Sequence, residues 1–188
     1  MHVGTTLFGP NSTPLSLLGF GCGSVGGLMV RGARTEQEHA VASALEVGVN
    51  YFDTAASYGD GASEQNLGSA LRTLGARDVV IGTKVGLRPA EFGRIGAAVT
   101  ESLHASLRRL QRDHVDIFHL HNAITLDGGS NSLSVRQVLD EVVPAFQALR
   151  AAGKLRLTGL TAIGDTAALQ QVIDAGSFGS AQVVYNLL

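Results

Sequence analysis

Tryptophan is absent from this 188-residue sequence, proline occurs only four times, and a single cysteine, Cys22, has no partner for an internal disulfide. A disulfide-stapled secreted scaffold is thereby excluded. The opening residues Met1, His2, Val3 and Gly4 lack the basic start and apolar run of a secretory signal, so a cytoplasmic location is expected. Neither sign of charge dominates. Fourteen Lys and Arg stand against 16 Asp and Glu, for a formal net charge of -2. The basic excess that a nucleic-acid partner or an anionic membrane surface calls for is missing. No apolar stretch approaches the roughly 18 residues that span a bilayer, which argues against any membrane role. Charged residues make up only 16% and hydrophobic ones 45%, far from the composition of a disordered chain. Glycine is plentiful: 24 residues, nearly twice the roughly 7% average, imply many tight turns.

Helix signals recur along the chain. Thr35 with Glu38 reads as a capping box for a helix over about 36–47 that stops at Gly48. Ser63 is expected to cap a second ending at Gly75, Ser134 with Gln137 to open one closed by Gly153, and Asp165 to cap a shorter one closed by Gly176. Over 92–111, Ile95, Val99, Leu103, Leu107 and Leu110 recur at helical spacing. Between these five helices lie short apolar runs at 15–20, 49–54, 79–85, 115–121, 155–161 and 181–188. They read as strands buried on both faces of a parallel sheet. Residues 5–15, with Pro10, Asn11 and Ser12, are expected to form a small hairpin. No linker or low-complexity segment divides residues 1–188, which read as one domain.

Strand–helix alternation leaves two architectures, the doubly wound sheet and the eight-stranded barrel. Gly21-Cys22-Gly23-Ser24-Val25-Gly26 matches G-x-G-x-x-G after a strand, but the context of a dinucleotide fingerprint fails. The next helix waits until about Glu36, and Asp53 follows Gly26 by 27 residues rather than about 20.

In either architecture the C-terminal ends of parallel strands share a rim where chemistry collects. Alternation places Val49, Tyr51 and Asp53 on one face of the second strand, Val80, Gly82 and Lys84 on one face of the third, and Ile117, His119 and His121 on one face of the fourth. Three consecutive strands thus finish in an ionisable residue, and Tyr58 lies in the loop just past Asp53. A lysine beside an aspartate can be a plain structural ion pair; four such groups at one rim make an acid/base set. A tyrosine phenol, with a reference pKa near 10, needs a shift of roughly 2 to 3 units, about 3 to 4 kcal/mol, to exchange protons near neutrality. A lysine ammonium about 4 Å away supplies on the order of 4 kcal/mol at an effective dielectric of 20. Asp53 would keep Lys84 charged and aimed, and His121 would hydrogen-bond the reacting oxygen of a carbonyl or alcohol, with no metal required.

The stretch Gly48-Val49-Asn50-Tyr51-Phe52-Asp53-Thr54-Ala55, then Tyr58-Gly59 and Ser63-Glu64-Gln65-Asn66-Leu67-Gly68-Ser69-Ala70-Leu71, resembles the signature of the aldo-keto reductases. Thr83-Lys84-Val85-Gly86 and Asp116-Ile117-Phe118-His119-Leu120-His121-Asn122 are similar to that family's lysine and histidine strand motifs, in the same order. The resemblance implies a (β/α)8 TIM-type barrel that uses NADP or NAD in an extended pose at the strand C-terminal ends. It also implies Tyr58 as general acid/base, Lys84 and Asp53 as its tuning pair, and His121 as the residue orienting the oxygen of a small-molecule carbonyl substrate. Gly21 and Cys22 align with residues flanking the nicotinamide, and Gln182 with a carboxamide contact. Thr161 stands where serine is usual, with Ala162 where asparagine is common. Asn122 follows the histidine where some members have tryptophan, which suggests a more polar substrate pocket.

Other residues have plainer readings. His119 is expected as a hydrogen-bonded core histidine one layer below His121, and Cys22 can be simply a small apolar residue. Arg108, Arg109 and Arg112 read as solvent-facing charges offsetting a helix dipole, and Glu64 and Gln65 as part of a helix cap.

Eight βα units typically take about 250 residues, and this chain ends after the sixth strand. A barrel lacking its C-terminal part is therefore expected, with open edges prone to self-association and without the loops that the resemblance assigns to the cofactor pyrophosphate. Two other function classes stay open: a metal-dependent barrel hydrolase built on His119 and His121, and a non-catalytic nicotinamide-binding module.

Overall fold

The structure is a computed structural model that describes residues 2–9, 12–23 and 25–185. Pro10 and Asn11 of the expected hairpin, Ser24 of the glycine motif, and 186–188 of the last apolar run lie outside the described residues.

Strand β1 (Thr5–Phe8) pairs antiparallel with β2 (Thr13–Ser16) as the expected hairpin. Then follow β3 (Gly19–Gly21), α1 (Leu28–Arg31), α2 (Arg34–Glu46), β4 (Tyr51–Asp53), α3 (Ala62–Thr73), β5 (Val80–Val85), α4 (Ile95–Leu110) and β6 (Val115–Leu120). Two short strands, β7 (Ala123–Thr125) and β8 (Ser132–Ser134), form a separate parallel pair. The next helix runs from α5 (Val135–Gln137) through a π turn (Val138–Val142) into α6 (Val143–Ala151), with Pro144 lacking the N–H that a regular α ladder would use there. The described chain closes with β9 (Leu155–Thr161), α7 (Thr166–Asp174) and β10 (Ser180–Gln182).

Strands β10, β9, β6, β5, β4 and β3 lie side by side in that order, every neighbouring pair parallel. Each crossover between neighbours carries a helix. The sheet is curled into part of a (β/α)8 barrel, as expected.

Burial explains the curl. On the outer face Phe52, Ile81, Phe118, Leu120 and Leu160 pack with Leu67, Leu71, Leu103 and Phe146 from the helices into the main core. The inner face is narrower: Val80, Ile117 and Leu157 meet Phe8, Leu15 and Tyr51. The hairpin thus plugs the N-terminal end of the barrel interior with Phe8 and Leu15. The C-terminal end is left to polar residues.

That plug corrects the first strand. The run 15–20 is not one element, because Leu15 and Ser16 belong to the hairpin and only Gly19–Gly21 joins the barrel sheet. Ser16 anchors the break: its N–H donates to Asn50 Oδ1 at 2.8 Å and its hydroxyl accepts from the Asn50 N–H at 3.0 Å. The last run is shorter too, with Val183, Val184 and Tyr185 exposed beyond β10.

Two caps also differ. Helix α2 begins after Ala33, whose N–H donates to Glu36, while Glu38 pairs with Arg34 at 2.8 Å. Ser63 lies inside α3, wholly buried, donating to the Cys22 carbonyl at 2.8 Å and bonded to Thr54 Oγ1 at 2.9 Å. It staples the helix to the ends of β3 and β4 instead of capping it. The Ser134–Gln137 box is present, with the Gln137 N–H donating to Ser134 Oγ at 3.1 Å and the Ser134 N–H to Gln137 Oε1 at 2.9 Å.

Glu64 and Arg109 depart furthest from their sequence readings. Glu64 is fully buried on α3, accepting from Thr83 Oγ1 on β5 and, at 2.6 Å, from Arg109 Nε on α4. Arg109 is therefore the partner of a buried carboxylate, not a free surface charge, and the pair ties two helices to the strand that carries Lys84. Removing one partner of such a pair strands a charge in the interior, at a cost of about 3–5 kcal/mol. Arg109→Ala should lower stability by about that much in a urea titration, and the double change Arg109→Ala with Glu64→Gln should recover part of the loss.

Candidate active site

Lys84 sits near the end of β5 with only 1% of its side chain exposed, so its ammonium must find its partners inside the protein. It has three N–H donors and meets three oxygens: Asp53 Oδ2 at 2.7 Å, the Thr54 carbonyl at 2.9 Å and Tyr58 Oη at 3.3 Å. Every donor is matched, and one of the three acceptors is the phenol.

The loop after β4 delivers that phenol. Three successive residues, Gly59, Asp60 and Gly61, adopt positive φ of 61°, 51° and 91°, which reverses the chain within one turn and starts α3 immediately. Two glycines make the reversal affordable for the backbone, since side chains rarely adopt that region. Tyr58, just before the reversal, is held by its N–H to the Ala55 carbonyl at 3.1 Å and by its own carbonyl, which accepts from Ser63 at 3.2 Å.

His121, the residue after β6, is fixed by its N–H to the Val85 carbonyl at 2.8 Å. Its ring meets the Tyr58 ring edge-on, centroids 6.2 Å apart at 85°. Burial, and then repulsion from Lys84, hold its pKa below the usual histidine value, so a neutral imidazole faces the site at neutral pH. Asp53 and Lys84 from two strands, His121 just past a third, and Tyr58 from a loop thus converge at one rim.

The remaining candidates divide. Gly21 ends β3, and among the described residues no atom lies within 4 Å of the place a Cβ would occupy there or at Gly86 beyond β5. Gln182 is half-buried at the end of β10, opposite Thr161 in register, and its carbonyl accepts from the Ala162 N–H at 2.9 Å. Thr161 is 5% exposed and donates to the Leu120 carbonyl at 3.2 Å. Cys22 is wholly buried; its N–H donates to the Asp53 carbonyl at 2.8 Å, and burial, then the Asp53 charge, push its thiol up to about 12. Of the two first-strand candidates only Gly21 faces open space.

Asn122, expected as a substrate contact, is 7% exposed and has its amide engaged within the protein. Its Oδ1 accepts from the Leu87 N–H and its Nδ2 donates to the Leu87 carbonyl, both at 2.8 Å. The amide clamps Leu87, in the loop after β5, by both of its backbone polar groups.

His119 lies a layer beneath His121, 3% exposed, with Nε2 3.4 Å from Ser180 Oγ and no hydrogen-bond partner at Nδ1. The expectation of a core histidine matches this placement, though among the described residues only one ring nitrogen is bonded. Among the described residues no group of three or more His, Cys, Asp or Glu side chains is placed to share a metal ion, so the pair His119 and His121 has no third ligand.

The family model for the aldo/keto reductases matches residues 17–188. The chain belongs to the aldo/keto reductase family. It is 34% identical over 157 residues to an L-galactose dehydrogenase of Arabidopsis thaliana, covering 82% of this chain and 47% of that one. It is 28% identical over 182 residues to a D-threo-aldose 1-dehydrogenase of a Pseudomonas species, covering 84% and 53%. Among solved structures, a Bacillus halodurans aldo-keto reductase in its holo form superposes with a TM-score of 0.80 at 30% identity, covering 100% of this chain and 59% of that one. A Klebsiella pneumoniae aldo-keto reductase in complex with NADPH gives 0.75 at 30% identity, covering 98% and 59%. The chain spans about half the length of the curated relatives it matches.

Two outcomes follow from the buried groups of this aldo/keto reductase chain. Burial, then the Lys84 charge, lower the His119 pKa from 6.5 to about 4. Between those values the unfolded chain binds a proton there that the folded chain does not. This contribution is complete above pH 6.5 and is lost as pH falls toward 4, by roughly 3 kcal/mol in all. Urea titrations from pH 7 to 4.5 should show His119→Gln losing less stability on acidification than the parent. Cys22 should resist alkylation at pH 8 in the folded protein and react promptly in denaturant, as mass spectrometry would show.

Proposed function

We propose that this chain carries the catalytic half of a nicotinamide-dependent oxidoreductase that interconverts a small aldehyde, ketone or sugar carbonyl with its alcohol. The observation that carries the reading is the buried Lys84 ammonium whose third donor goes to Tyr58 Oη.

Because Tyr58 Oη accepts from Lys84, its own proton is turned away from the ammonium and is available to a substrate oxygen. In the reducing direction Tyr58 gives that proton to the carbonyl oxygen as negative charge develops there, and Lys84 stabilises the phenolate left behind. Asp53 holds the ammonium in place. The neutral His121 ring binds the same substrate oxygen and sets its distance from Tyr58. In the oxidising direction the proton returns to Tyr58. A bound NADP or NAD supplies or accepts the hydride; Gly21, Thr161 and Gln182 are the residues of this chain that would lie against its nicotinamide end.

The edges at β3 and β10 are unpaired among the described strands, and we take them to be covered by further βα units or by self-association. No helix among the described residues is long and apolar enough to cross a membrane. The names of the two curated relatives, an L-galactose dehydrogenase and a D-threo-aldose 1-dehydrogenase, favour a sugar as substrate.

Tyr58→Phe tests the reading. The variant should keep cofactor affinity, measured by nicotinamide fluorescence, while kcat on a panel of aldoses and small aldehydes falls at least about 100-fold. Undiminished turnover would refute the assignment.

A further inference from the structure

Tyr51 stands on β4 two residues before Asp53 and so shares its inward face. Its Oη donates to Asp53 Oδ1 at 3.2 Å, while Asp53 Oδ2 accepts from Lys84 Nζ at 2.7 Å. One carboxylate is thus divided between a neutral donor and a charged one. Two missing side chains on the flanking strands make room for the ring. A Cβ at Gly82 would lie 2.8 Å from the Tyr51 hydroxyl, and one at Gly19, its register partner on β3, 2.7 Å from ring atom Cδ1. The ring also packs against the cluster of Val80, Ile117 and Leu157, so the phenol is braced from both sides and from beneath.

We infer that Tyr51 is a positioning residue for the proton transfer at Tyr58: by engaging Asp53 Oδ1 it draws off part of the carboxylate charge and leaves more of the Lys84 positive charge to act on Tyr58. The inference rests on the role proposed above for Tyr58. The ionisable groups around Tyr51 are few. Asp53 is on its own strand, Lys84 on β5, His119 on β6 with His121 just after it, Cys22 follows β3, and Tyr58 is in the loop after β4. Burial and Lys84 keep both histidines neutral near pH 7, and burial keeps the thiol protonated. Burial, then the Asp53 charge, also push the Tyr51 phenol well above its ordinary range, so it remains a donor wherever the enzyme works. Asp53 and Lys84 are then the charges that decide the field at Tyr58, and the Tyr51 hydroxyl is the group that sets their balance.

Tyr51→Phe removes the hydroxyl and keeps the ring. Without its second donor, Asp53 neutralises Lys84 more completely, and a phenolate at Tyr58 is less stabilised. The tyrosinate absorbance step that Tyr58→Phe abolishes should therefore move to higher pH in Tyr51→Phe, by about half a unit. The basic limb of the kcat profile should move the same way, with kcat down about threefold to tenfold and KM for the carbonyl little changed. Tyr51→Leu, which also empties the ring slot, should add a loss of thermal stability that Tyr51→Phe does not show. If Tyr51→Phe leaves the tyrosinate step in place, or lowers it, and only Tyr51→Leu has an effect, Tyr51 is a packing residue and the inference falls. The absorbance titration needs no turnover, so a failed coupling is distinguished from a failed oxidoreductase assignment, which the Tyr58→Phe kinetics decide separately.

Discussion

A lysine ammonium withdrawn from water is the constraint around which the C-terminal end of this half-barrel is arranged. At 1% exposure Lys84 keeps its charge only if each N–H has an oxygen, and the neighbouring segments supply them: a carboxylate from β4, a carbonyl just past that strand and a phenol from the loop beyond. The geometry that solves a burial problem also fixes a phenol oxygen against the ammonium. Structure and chemistry share the same three bonds.

That arrangement is held from outside as well as from within. On the helix side, Glu64 bonds Thr83, the residue before Lys84, and is neutralised by Arg109 from the next helix. Ser63 ties the start of α3 to the ends of β3 and β4, and the Asn122 amide clamps the loop after β5 to the residue following His121. On the barrel side, Tyr51 engages the free oxygen of Asp53 from a slot between glycines. Reacting groups need placement to within fractions of an ångström, and a shell of satisfied polar contacts supplies it where apolar packing alone would allow sliding.

The two ends of the sheet divide their tasks in the manner of barrel enzymes generally. The hairpin covers the N-terminal end with Phe8 and Leu15 against Val80, Ile117 and Leu157, an apolar floor beneath the site. His119 marks the boundary between plug and rim: its ring is buried, and burial with the Lys84 charge holds its pKa below the usual histidine value.

The alternation of strands and helices, the inward parity of Asp53, Lys84 and His121, and the presence of Tyr58 beside them were legible in the sequence, because period-2 burial and helix stop signals are local properties of the chain. So was Tyr51's inward direction, though not its bond to Asp53. What the tertiary structure alone decided is where local patterns meet distant partners. The run 15–20 divides because Leu15 finds the barrel floor while Phe20 faces the helices, and Arg109 turns inward because Glu64, 45 residues earlier, is buried within its reach. Asn122 braces the loop after β5 because both polar groups of Leu87 lie opposite its amide. Periodicity assigns a side chain to a face; the group it bonds there depends on strands and helices brought together by the sheet, and no local spacing encodes that choice.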